Sequence, residues 1–147
     1  MPSLKETMLA NLRELVTLQR AAHDSMFKFS ITKVWPISLI APQVDWIRIS
    51  RMMDNLQEKC EEQKDFLANN LDSVPEQDLF FLKLLPEYLD LLAKVAGILG
   101  RAAVYRQDVL EKRIKMKMKE WNLILISYNE AGDNMATKGI ALRKAYI

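Results

Sequence analysis

Histidine and cysteine occur once each in this chain, as His23 and Cys60. That scarcity excludes an intramolecular disulfide. It also excludes a zinc site built on Cys and His, and a ferritin-like di-metal centre, which needs Glu-x-x-His from two helices. Glycine (4) and proline (5) are few for 147 residues, and an all-β chain of this length needs more tight turns than they supply. No Asn-x-Ser/Thr acceptor, Gly-x-Gly-x-x-Gly, Gly-x-x-x-x-Gly-Lys or Gly-x-Ser-x-Gly motif occurs. The most apolar stretch, 79–99, carries Lys83, Glu87, Asp90 and Lys94, charges too costly for a bilayer centre. The carboxylates scatter along helical segments and mark solvated faces rather than an acid–base pair. The expectation is therefore no enzyme, no cofactor and no bound metal.

What is present is apolar residues in helical rhythm. They make up 50% of the chain, enough for one domain over 1–147 with a real core. Ser3 and Glu6 match a capping box. Met8, Leu12, Leu15, Ala22, Met26 and Phe29 then form one stripe, interrupted at Gln19, so helix 1 is expected over 3–29. Pro42 suits a first helical turn. Trp46, Ile49, Met53, Leu56, Cys60 and Leu67 continue a heptad-like seam to about 71, with Gln63 as a polar break. Ser73 and Glu76 predict a second capping box. Helix 3 follows, apolar on nearly every side, with Pro86 expected to kink or divide it. Gly97 and Gly100 either end that helix or let a neighbour approach. Helix 4 is expected over 101–131, either separate from helix 3 or continuous with it, ended by Gly132, Asp133 and Asn134, with a short fifth helix after it. The fold class is all-α: an antiparallel bundle of about four long helices with coiled-coil-like packing.

Charge is nearly balanced overall at +2 but unevenly placed. Residues 54–90 hold ten acids and three bases, whereas 101–147 hold ten bases and five acids. The two stretches either neutralise each other inside the monomer or pair between copies. The sharpest local feature is Lys112, Arg113, Lys115, Lys117 and Lys119. On a helix these cations spread around the circumference. They are solvated, ion-paired, or set against a protein partner, anionic lipid or nucleic acid. No aromatic residues interleave with them for base stacking.

His23 reads as a boundary histidine, with a pH-sensitive contact as the alternative. Cys60 falls on the seam among Glu58, Glu61 and Glu62, the setting of a core thiol rather than a nucleophile. With one cysteine and no signal sequence before the first helix, a reducing, cytoplasmic setting is expected. The apolar connection 31–41, broken by Pro36, is too apolar to hang in water. Val34, Trp35, Ile37, Leu39 and Ile40, with Tyr146 and Ile147, are the expected partner contacts. The functional expectation is a non-catalytic module that self-associates as a homo-oligomer or docks a protein partner. The alternative is a binder of anionic membrane or nucleic acid through the 112–119 stretch.

Overall fold

The computed structural model describes residues 3–27 and 44–146. Among these there is no strand. Four helices pack against one another: α1 (Leu4–Phe27), α2 (Trp46–Asn69), α3 (Glu76–Leu110) and α4 (Met118–Tyr146), with a 3-10 turn, Leu71–Ser73, between α2 and α3.

Each helix starts and buries itself for a local reason. The Glu6 amide donates to Ser3 Oγ at 3.2 Å, half of the expected capping box. The stripe Met8, Leu12, Leu15, Ala22 and Met26 is buried. α2 begins later than expected. Asp45 is its N-cap, its carboxylate accepting from the Arg48 amide at 3.0 Å, and Pro42 lies outside the described residues. All six seam positions from Trp46 to Leu67 are buried. Pro75, rather than Ser73, occupies the N-cap of α3. The trans-proline φ of −57° already suits the turn into the helix.

α3 is the central element and packs on each of the other three helices. It supplies Phe81, Leu82, Leu85, Leu89, Leu92, Val95 and Leu99 to the core, all within 1% of full burial. Each such side chain contributes roughly 1.5–3 kcal/mol. The helix runs without interruption through Pro86, Gly97 and Gly100. The glycines serve contact: a Cβ on Gly100 would stand 3.2 Å from Met53 Cβ of α2, and one on Gly97 would strike Gln57. Gln57 in turn donates to the Ala93 carbonyl at 3.2 Å.

Two boundaries differ from the expectation. The expected helix over 101–131 is broken at 111–117, and α4 runs straight through Gly132, Asp133 and Asn134. There is no fifth helix among the described residues; the tail to Tyr146 is the last part of α4. At Gly132 a helical glycine costs about 1 kcal/mol relative to alanine, which packing of Tyr128, Ala131 and Leu142 on the core outweighs.

Candidate functional site

Of the expected partner contacts, Val34, Trp35, Ile37, Leu39, Ile40 and Ile147 lie outside the described residues. Tyr146 lies within them and does not project freely. Its ring meets Phe81 edge-on at 5.1 Å, and Lys5 Nζ sits 4.2 Å from its centroid. Tyr146 thereby closes one end of a long groove.

That groove exists because α1 packs on α2 and α3 but meets α4 mainly through side chains at two ends. At the far end Gln19 Nε2 donates to Tyr128 Oη at 2.8 Å, and His23 Nδ1 lies 2.8 Å from the same oxygen. Phe27 and His23 flank the Tyr128 ring at 5.7 and 5.6 Å. Burial, reinforced by Asp24, pushes the Tyr128 hydroxyl up to about 12 against the opposing hydrogen bond from Gln19. Between these ends the helices stand apart over a floor of Phe81 and Tyr88, leaving about 1030 Å³. Leu9 and Val16 line one wall; Met135 and Ile140 line the other. Arg13, Arg20 and Arg143 stand on the rim against a single acid, Asp24. Burial raises the Tyr88 hydroxyl, opposed by Arg20. From Leu9 to Asp24 the groove spans about 22 Å, or four helical turns.

The basic stretch is a loop over 111–117, with Lys119 in the first turn of α4. Lys112 adopts a left-handed backbone, φ 62°. Its amide donates to the Val109 carbonyl at 3.1 Å and the Arg113 amide to the Asp108 carbonyl at 2.9 Å, a Schellman motif that ends α3. Lysine here fills the position glycine usually takes. The Arg113 guanidinium is tied to Asp108 at 3.0 Å and to Glu111. Tyr105 Oη accepts from the Lys117 amide at 3.0 Å and donates to Glu120. Behind the loop, Arg106 lies between Trp46 and Trp121, 5.3 and 5.2 Å from their centroids, and burial lowers its guanidinium pKa. The loop is thus pinned at both ends. The 54–90 acids meet the 101–147 bases through Glu87 and Lys138, not through the loop.

Cys60 is fully buried, and burial, then Glu61 and Asp90, push its thiol up to about 12. Among the described residues no group of three or more His, Cys, Asp or Glu is placed to hold a metal ion, and no helix is long and apolar enough to cross a membrane. The groove was missed in the sequence, although Leu9, Val16 and Ile140 fall off the core stripes and were its signal. No protein-family model, curated protein or solved structure matches the chain.

Proposed function

We propose that the chain is a non-catalytic interaction module that docks an amphipathic helix of a protein partner in the groove between α1 and α4. One observation carries this reading: a groove four turns long, apolar along its floor and walls, with three arginines on its rim. A helix laid there would set its i, i+3, i+4 and i+7 anchors on Phe81 and Tyr88. Acidic residues along its flanks would face Arg13, Arg20 and Arg143. An antiparallel, coiled-coil-like bundle is part of the reading. Its supports are the buried heptad-like seam of α2 and the order of contacts, in which Met53, Gln57 and Lys64 meet Gly100, Ala93 and Asp90. A reducing, cytoplasmic setting belongs to it too, supported by the single buried thiol.

The test is selection from a display library of amphipathic helical peptides. Binders are expected to carry apolar i, i+3/i+4 anchors with acidic flanks. They should lose affinity at least tenfold against Ala136→Trp, which fills the groove from an exposed position, and weaken with salt. Absence of enrichment, or peptides that bind the filled variant equally well, would sink the proposal.

A further inference from the structure

We propose that the end of the molecule formed by the α3–α4 loop is a peripheral docking site for an anionic lipid bilayer surface. The inference does not rest on the groove.

The loop combines two kinds of side chain that water alone does not reward together. Leu110, Ile114 and Met118 are 54%, 41% and 62% exposed. Next to them in sequence are Lys112, Lys115 and Lys119, which have no carboxylate within ion-pair distance among the described residues. Arg113 is spent on Asp108 and Glu111, and Lys117 leans on Glu120 at 3.9 Å. So three cations remain for an outside partner, set among three exposed apolar side chains that run from the last residue of α3, through the loop, to the first turn of α4. The anchors described above hold that loop in shape, so little ordering is needed on contact. Lys112 keeps its charge at a left-handed position where glycine would be less strained.

A lipid surface suits both features. Phosphate and carboxylate headgroups attract the lysines, while Leu110, Ile114 and Met118 enter the boundary between headgroups and acyl chains. Stable anchoring of this kind takes two signals, charge and apolar insertion, and the loop has both. A nucleic acid would use the cations, but no aromatic ring is present on the loop to stack on bases.

The test is co-sedimentation with vesicles of phosphatidylcholine mixed with phosphatidylserine, against pure phosphatidylcholine, at low and physiological salt. Binding is expected only to the mixed vesicles. Each lysine changed to glutamine is expected to cost about fivefold, so Lys112→Gln, Lys115→Gln and Lys119→Gln together should cost about a hundredfold. Ile114→Ser with Met118→Ser should also cost at least tenfold, leaving the salt dependence unchanged. Lys112→Gly is the decisive variant: it should melt higher than the parent and yet bind vesicles more weakly, which loss of fold cannot produce. Equal binding to both vesicle types would overturn the proposal, as would no binding to either. Binding of duplex or single-stranded DNA at low salt that survives Ile114→Ser with Met118→Ser, without vesicle binding, would assign the loop to nucleic acid instead.

Discussion

Gln19 and Gln63 interrupt apolar stripes, and each has a defined partner. Gln19 is buried and completes the Tyr128 hydroxyl; Gln63 accepts from Asn11 Nδ2 at 3.0 Å, joining α2 to α1. A buried polar atom left unpaired costs about 1–3 kcal/mol, so these side chains fix the partner helix more than they add cohesion. The sequence marked both positions as polar breaks but could not supply the partners, which lie 109 and 52 residues away. Cys60 and Tyr128 give the residue scale its pH dependence. Both groups have folded pKa values raised to about 12, from 9.0 and 10.0. Below pH 9 both are protonated whether folded or not, and their contribution is fully present. As pH climbs toward 12 the unfolded chain releases protons first, so stability falls, by about 1.4 kcal/mol per pH unit for each group. Urea midpoints followed against pH should start to drop near 9. In Cys60→Ala, itself less stable throughout, the drop should begin near 10. The same onset in both proteins would show that the thiol is not the first group to titrate.

At the scale of the element, helix length was the property hardest to read. Glycine and proline do not mark the helix ends: α3 runs through Pro86 and through Gly97 and Gly100, which take the close-contact role of their two expected ones, and α4 runs through Gly132, where an end was expected. Packing on both sides of each position outweighs a local cost of 1–3 kcal/mol. Conversely, the true break at 111–117 carries neither residue; a lysine takes the left-handed position there. The glycines differ from one another in a testable way. A Cβ on Gly132 meets nothing within 4 Å, so Gly132→Ala should stabilise by about 0.5–1 kcal/mol. A Cβ on Gly100 already stands 3.2 Å from Met53 Cβ, so Gly100→Val should destabilise by about 1–3 kcal/mol through overpacking. Thermal melts of the two variants should move in opposite directions, and a shared direction would show that helix propensity alone sets both.

For the whole molecule the open question in the sequence was where its surplus apolar surface goes. α3 absorbs most of it by touching all three other helices. Among the described residues, what remains includes the groove, the apolar residues of the loop end and other exposed side chains such as Phe80, Leu123 and Ile126. Absolute mass by light scattering on a sizing column, at low and at physiological salt, should give a monomer in both, because the occupants proposed for the groove and for the loop end are a partner helix and a lipid surface rather than a second copy. A salt-resistant dimer that Ala136→Trp dissolves would place a second copy of this chain in the groove.

The sequence by itself determined the all-helical class, the buried seam of α2 and the central place of α3. Each follows from residue type and a 3.6-residue period, which act over a few turns. Only the tertiary structure decided that α1 and α4 stand apart over Phe81 and Tyr88, and that a loop at 111–117 gathers the cations 112–119 at the end of the molecule that also carries Leu110, Ile114 and Met118. Those outcomes depend on how four helices share one core and on a left-handed lysine that no turn residue announces. Neither is written in the periodicity of any single segment.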